Sequence, residues 1–197
     1  QVNIASVGPG KLPALREILE RLAGYGHRHI SLIVRDERRI PQPGLFERTF
    51  LRELEALGLS IGPDNLPAWE ESVEGFHGCL EALFRGKAPT ALLIDEPEFL
   101  FAAIQFCGNA GLRVPGDVSL VCTDPSPNFA WFAPSVAHIH WDGDPLIRRV
   151  VRWVDNVGRS RRDQRKSKPL ASFVEGGTIG PAPASQRARR PRRQGKD

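Results

Sequence analysis

The stretch Asn109-Ala-Gly-Leu-Arg-Val-Pro-Gly-Asp-Val-Ser-Leu-Val-Cys-Thr-Asp124 decides the fold. An apolar helical pattern runs into it and ends at Gly111, because glycine adopts a left-handed backbone at little cost. Pro115-Gly116 is typical of a tight turn, and residues 118–121 then predict a short buried strand. Asp124 follows this strand, and in open α/β sheets ligands bind outside the carboxyl ends of strands. The stretch therefore predicts an α/β sheet and a ligand contact at Asp124.

Strand-like and helix-like patterns alternate on both sides of this stretch. Apolar runs of strand length cover residues 30–34, 66–69, 91–94, 136–140 and 170–174. Helical spacing of apolar residues covers residues 12–22, 45–57, 73–84, 99–107 and 146–154. Such alternation favours right-handed βαβ units. We expect a mostly parallel sheet with helices on both faces.

Charge divides the chain into an acidic body and a basic end. Of the 27 Lys+Arg and 23 Asp+Glu, residues 159–197 hold 12 and 3, which leaves 15 and 20 in residues 1–158. The net charge is therefore −5 in the body and +9 in the end, together +4. We expect a solvated basic loop over residues 159–168 and a disordered basic tail over residues 179–197. The alternative for the tail arginines is contact with DNA phosphates.

The cysteines and the apolar runs bear on location. Cys79, Cys107 and Cys122 are widely spaced within apolar patterns, which predicts reduced core residues and a cytoplasmic protein. No apolar run approaches the roughly 18 residues that cross a bilayer, so we expect no membrane contact. Because the chain begins at Gln1 and contains no methionine, we expect that upstream sequence is missing.

Several motifs together resemble one protein family. Residues 26–30 are similar to the pattern Gly-His-Arg-x-Ile, and residues 110–121 are similar to Ala-Gly-Leu-x-Val-Pro-x-Asp-Val-Ser-Val-Val. These two segments resemble sequence patterns of LacI/GalR-type transcriptional regulators. Weaker similarities lie at Pro89-Thr90, at Pro134-Ser135-Val136 and over residues 173–178. The resemblance covers about residues 1–180. It implies an N-terminally truncated effector-binding domain with the periplasmic-binding-protein-like fold, in which ligand lies between two α/β lobes.

The resemblance also implies a division into lobes. Residues 1–26 and 144–160 would be the remnant of a partial first lobe. Residues 27–143 and 169–178 would form a nearly complete second, C-terminal lobe. Removal of the first-lobe sheet would leave the apolar helix over residues 12–22 uncovered. The DNA-reading head of such regulators would lie upstream of Gln1.

Five residues are candidates for ligand contact, each with a structural alternative. Asp124 matches the acid that follows the family's strand, whose oxygens accept hydrogen bonds from ligand hydroxyls; the alternative is a cap for the loop at residues 125–128. Glu96-Pro97 stands where the family has Asn-Asp, and the strand-end acids Asp95 and Glu96 could bind a polyol or could instead start a helix. Phe46 stands where the family has a cleft arginine, and it could instead belong to the core. Trp69 and Trp141 fall near cleft aromatic positions, with packing as the alternative.

A second group of polar residues alternates along one predicted strand. His138, His140 and Asp142 would share one face, and this spacing could hold a metal or act in acid/base chemistry. A passage of the chain between lobes explains polar residues there without a metal. We expect no metal and no cofactor.

These observations predict the effector-binding region of a cytoplasmic, DNA-binding transcriptional regulator. A small molecule, a sugar, would bind in the cleft and change the geometry of a homodimer whose DNA-binding head lies upstream. The substitutions at Phe46 and Glu96 imply a ligand other than the one that the common family pattern holds. The alternative is a solute-binding protein of the same fold for transport or chemosensing. An enzyme is not expected, because no nucleophile motif accompanies the acidic residues.

Overall fold

Short apolar runs and amphipathic helices alternate throughout the computed structural model, which describes residues 6–184. Its strands are β1 (Ser6–Val7), β2 (Ile30–Ile33), β3 (Ala91–Ile94), β4 (Ser119–Cys122), β5 (Ala137–His140), β6 (Lys166–Ser167) and β7 (Ser172–Val174). Its helices are α1 (Leu12–Gly24), α2 (Leu45–Ala56), α3 (Val73–Arg85), α4 (Pro97–Asn109) and α5 (Asp144–Gly158). No helix within residues 6–184 has the length and apolar character needed to cross a membrane.

The central sheet has five strands in the order β2-β3-β4-β5-β7. The first four are parallel, and β7 runs antiparallel to β5. Strands β2, β3 and β4 are buried at every position, which explains why their sequences are continuous apolar runs without alternation. The predicted mostly parallel α/β sheet is confirmed.

Helices cover both faces of this sheet and create two apolar cores. Successive side chains of a strand point to opposite faces, so Leu32 joins the core under α1 and α2 whereas Ile33 joins the core under α3 and α4. The three cysteines are free and buried in or beside the second core. Burial raises the pKa of Cys107 to about 11 and that of Cys122 to about 12, which keeps both thiols protonated.

Helix α1 packs on the central sheet. Its apolar side chains are fully buried in the core that contains β2 and β3; they are Leu15, Ile18, Leu19 and Leu22. The expectation that this helix is uncovered is therefore wrong, and the assignment of residues 1–26 to the first lobe needs correction for α1. The rest of the division into lobes stays a prediction.

A small second unit consists of β1, β6 and α5. Strands β1 and β6 form a parallel pair, and α5 contacts β1. Arg149 and Asn156 of α5 hold the carboxylate of Asp163, which is buried in the segment before β6. Residues 159–168 are thus not simply a solvated loop. The apolar side chains of α5 are exposed, including Ile147, Val151, Val154 and Val157.

Two further predictions about secondary structure are wrong. Residues 66–69 form no strand, because the Asn65 side chain already donates to the Ile30 carbonyl at the edge of β2 (2.7 Å) and Pro67 has no N–H for a ladder. The predicted tail over residues 179–197 begins too early, because Ile179 and Ala182 are buried. Residues 185–197, with the tail arginines, lie outside the described residues, as do residues 1–5.

The segment after β7 locks the end of the sheet. The Thr178 hydroxyl donates to the Leu120 carbonyl (2.8 Å) and accepts from the Ala137 amide (2.9 Å), so it joins β4 to β5. Two residues earlier, Gly176 lies so close to β5 that an added Cβ would come within 2.4 Å of the Ala137 nitrogen. Only glycine fits this approach.

We predict that Gly176→Ala destabilises the chain by about 1–3 kcal/mol, because the neighbouring atoms are backbone and can relieve the overlap only by moving a strand. The matched control is Gly108→Ala in α4, where nothing lies within 4 Å of the new Cβ and where alanine should be neutral or stabilising. Urea unfolding followed by circular dichroism measures both. Equal stabilities for the two variants would contradict the described path of the chain after β7.

Candidate functional site

Three carboxylates meet at the carboxyl ends of β3 and β4. Asp95 and Glu96 follow β3, and Asp124 follows β4 by two residues. Because the two strands are parallel and Ile94 pairs in register with Cys122, these ends lie at the same edge of the sheet. Oxygen atoms of the three carboxylates lie within 4.8 Å of one another.

Asp124 is buried among donors from three separate segments. Its Oδ1 lies 2.5 Å from Nζ of Lys11, which immediately precedes α1. The same oxygen accepts from Nε1 of Trp141, which follows β5 (3.2 Å), while Oδ2 accepts from Nη1 of Arg38 (3.2 Å). Asp124 therefore ties together the segments that follow β2 and β5 and the segment that precedes α1.

Arg38 bridges all three carboxylates from a 3₁₀ helix over Asp36–Arg39, just after β2. Its Nη1 lies 3.1 Å from Oδ1 of Asp95 and its Nη2 donates to Oε1 of Glu96 at 2.9 Å, in addition to the contact with Asp124. A planar guanidinium suits this role because it presents several donors in a fixed fork. Partial burial alone would lower the pKa of Arg38, but the surrounding carboxylates outweigh it and the pKa is raised.

Asp95 contacts Arg38 from the protein interior. Its side chain is almost fully buried, and its Oδ1 accepts from the Thr123 hydroxyl at 3.1 Å. Burial raises the pKa of both Asp95 and Glu96, and Arg38 opposes that rise. Asp95 is thus placed to orient Arg38, whereas the half-buried Glu96 lies nearer to solvent.

The charges in the cluster argue against a metal ion. Asp95, Glu96 and Asp124 form the one group of His, Cys, Asp or Glu side chains within residues 6–184 whose geometry could hold a metal. Two cations, Lys11 and Arg38, already contact these carboxylates. The arrangement is an ion-pair network with a formal charge of −1 when all five groups are ionised.

The alternative site at β5 does not form. His138 and His140 stand near each other, with ring centroids 6.2 Å apart, but no third ligand completes a metal group with them among the described residues. Nδ1 of His138 bonds to the Val136 carbonyl at 2.9 Å, and its ring packs on Phe129. Burial lowers the pKa of His138, which favours the neutral imidazole.

The structure brings three of the five predicted residues together, namely Asp124, Trp141 and Glu96. Trp69 is a packing residue in this structure: the residue is 9% exposed, and Nε1 donates to the Val34 carbonyl. Phe46 is partly buried against the core under α1 and α2. Contact of any of the five with a ligand stays a prediction.

A cavity of about 480 Å³ opens beside the cluster, between the N-terminal ends of α3 and α4. Phe76 and Phe99 are among its lining residues, and their rings stack with centroids 5.2 Å apart. Glu96 also lines it, as do both members of an Arg35–Glu71 ion pair (2.5 Å). The ion-pair network therefore adjoins a space with aromatic lining that a small molecule could enter.

Sequence reasoning missed two members of the network: Lys11 and Arg38. Arg38 lies in the charged segment after β2, so the rule that strand ends carry ligand contacts would have included it. Lys11 has no comparable pattern, because it reaches the site from the segment before α1.

Comparison with known proteins shows the family to which this chain belongs. Residues 19–179 match the family described as periplasmic binding protein-like domain. The chain is 27% identical to the HTH-type transcriptional repressor PurR of Pasteurella multocida over 131 residues, which are 66% of this chain and 39% of that protein. It is 26% identical to PurR of Salmonella paratyphi B over 185 residues, 88% of this chain and 50% of that protein. The chain thus spans half the length or less of these curated relatives.

Solved structures show the same fold. A LacI family transcriptional regulator from Enterococcus faecium with bound ribose has a TM-score of 0.75 at 16% identity, over 92% of this chain and 67% of that one. The Lac repressor dimer bound to operator and the anti-inducer ONPF has a TM-score of 0.75 at 20% identity, and the match covers 91% of this chain and 62% of that one. The transcriptional regulator CelR in complex with cellobiose has a TM-score of 0.74 at 19% identity, and the match covers 89% of this chain and 54% of that one.

We predict that Asp124→Ala destabilises the chain by about 3–5 kcal/mol, because it leaves the buried Lys11 ammonium without its counter-ion. Adding Lys11→Met removes that charge, so the double variant should lose less than the sum of the single losses, with a coupling of about 0.5–3 kcal/mol. Urea unfolding of the four chains measures this cycle. Glu81→Ala, which removes an exposed ion pair with Arg85, is the control and should cost less than about 1 kcal/mol. Additive losses at Lys11 and Asp124 would contradict the pairing.

Proposed function

Because this chain belongs to the family of periplasmic binding protein-like domains and is an effector-binding domain of the LacI/GalR type, we propose that it is the small-molecule-sensing part of a DNA-binding transcriptional regulator. The observation that carries the proposal is the network at Asp124, which gathers charged and polar side chains at the strand ends where such folds bind ligands. The relatives matched are repressors and not enzymes.

A sugar is the effector class that we propose. Carboxylate oxygens accept hydrogen bonds from hydroxyl groups and so orient a polyol, and Glu96 keeps one oxygen, Oε2, that makes no hydrogen bond within residues 6–184. The adjacent cavity has Phe99 in its lining, and an aromatic side chain suits the apolar face of a sugar ring. Structural neighbours with bound ribose and cellobiose support this class.

The position of the network suggests how binding would be transmitted. Lys11 lies between β1 and α1, and Trp141 lies between β5 and α5. Both therefore stand on segments that connect the central sheet to the small unit of β1, β6 and α5, and both contact Asp124. A ligand that rearranges these contacts would change the angle between the two units. It shifts the equilibrium only by its differential affinity for the two geometries.

The remaining parts of the proposal concern the whole protein. DNA binding would come from a head domain outside this chain, and two copies would form a homodimer, as in the Lac repressor dimer. A transcriptional regulator of this kind works in the cytoplasm. No observation favours the alternative of a solute-binding protein for transport or chemosensing.

We predict that a screen of sugars, including ribose and cellobiose, finds one that raises the melting temperature of the 197-residue chain. A ligand at 100 times its Kd stabilises by about 2.7 kcal/mol. Asp124→Asn keeps the shape of the side chain and removes its charge, so it should weaken binding by at least about tenfold, the equivalent of a hydrogen bond to a charged group. Asp117→Asn, at a half-buried aspartate that is paired with Arg113 away from the network, is the control and should leave affinity unchanged. Unchanged affinity in Asp124→Asn would refute the site.

A further inference from the structure

Lys11 is a buried cation whose hydrogen-bonding capacity is only partly used. Its side chain is 9% exposed, and Nζ lies 2.5 Å from Oδ1 of Asp124, a contact that can use one N–H of the ammonium. Within residues 6–184 no other hydrogen-bond acceptor is found for the buried Nζ. An ammonium carries three N–H donors, and a buried donor without an acceptor is costly. A ligand that supplied acceptors would remove that cost.

The carboxylate that faces Lys11 also receives other donors. Oδ1 of Asp124 accepts from the Trp141 indole, and Oδ2 accepts from Arg38. Asp124 can serve one N–H of the ammonium beside these two donors, so two N–H groups of Lys11 have no acceptor within residues 6–184. A hydroxyl group brings both a donor and an acceptor, whereas an ionised carboxylate or phosphate oxygen only accepts.

We propose that Lys11 is a specificity-determining residue that donates to an oxyanion on the effector, so that the effector is an acidic sugar derivative bearing a carboxylate or a phosphate. This inference rests on the proposed function, because it refines the ligand class of the same cleft. Charge-assisted hydrogen bonds are shorter and stronger than neutral ones, so the acidic group would dominate selectivity.

The neighbouring carboxylates do not prevent such binding. Asp95, Glu96 and Asp124 would repel an anion, but Arg38 contacts all three and Lys11 contacts the third. Of the two cations in the network, Lys11 carries the more localised charge.

Matched neutral and acidic sugars test the inference by calorimetric titration of the 197-residue chain. The pairs are ribose with ribose 5-phosphate, and glucose with glucuronate and with glucose 6-phosphate, so that the carboxylate and phosphate arms are separate. We expect at least one acidic member to bind tenfold or more tightly than its neutral partner. Lys11→Gln should lower this acidic-to-neutral ratio at least tenfold, and Lys11→Arg should retain most of it. Lys87→Gln, at an exposed lysine, is the control and should leave the ratio unchanged.

The outcomes separate this inference from the proposed function. Neutral sugars that bind as tightly as their acidic partners would overturn the inference and leave the effector-binding proposal standing. Failure of every sugar, neutral or acidic, to bind a chain that circular dichroism shows to be folded would count against the proposed function itself. Inorganic phosphate that binds as tightly as the sugar phosphates would indicate an adventitious ion only and would also overturn the inference. If Lys11→Gln fails to fold, the ratios of the wild-type and Lys11→Arg chains decide.

Discussion

The ion pair between Lys11 and Asp124 is the contact on which the rest of the candidate site depends. Asp124 lies beyond the end of β4, and the segments that supply Lys11, Arg38 and Trp141 are far from it in sequence. One carboxylate therefore fixes the relative positions of three segments at one edge of the sheet. Two of these segments lead to the unit of β1, β6 and α5, so the same contact links the central sheet to the part expected to move.

A network of buried charges is a poor source of stability. Removing a charged group from water costs several kcal/mol per ion, and well-packed apolar side chains of similar volume often do as well or better. The apolar cores on both faces of the sheet already supply the burial that holds the fold. The presence of Lys11, Arg38 and three acids in one network is therefore better explained by what they bind than by what they stabilise.

The sequence predicted the fold better than the site. The segment from Gly111 to Asp124 is local, since a helix end, a turn and an apolar run each follow from neighbouring residues, and the structure confirms β4 there. Arg38 and Lys11 lie 86 and 113 residues before Asp124 in the sequence, and no local sequence pattern specifies contacts between residues so far apart in the chain. Trp69 shows the same limit, because only the assembled structure reveals that Phe76 and Phe99 enclose its ring.

The four tryptophans allow one direct measurement of whether Asp124 lies in the ligand site. Indole N–H resonances, recorded by ¹⁵N–¹H NMR during titration with a bound sugar, report on each ring separately. The account predicts that the Trp141 resonance shifts, because its Nε1 donates to Asp124. The exposed Trp131 and the enclosed Trp69, whose Nε1 bonds to Val34, should change little. Saturable binding that leaves the Trp141 resonance in place would contradict the central claim.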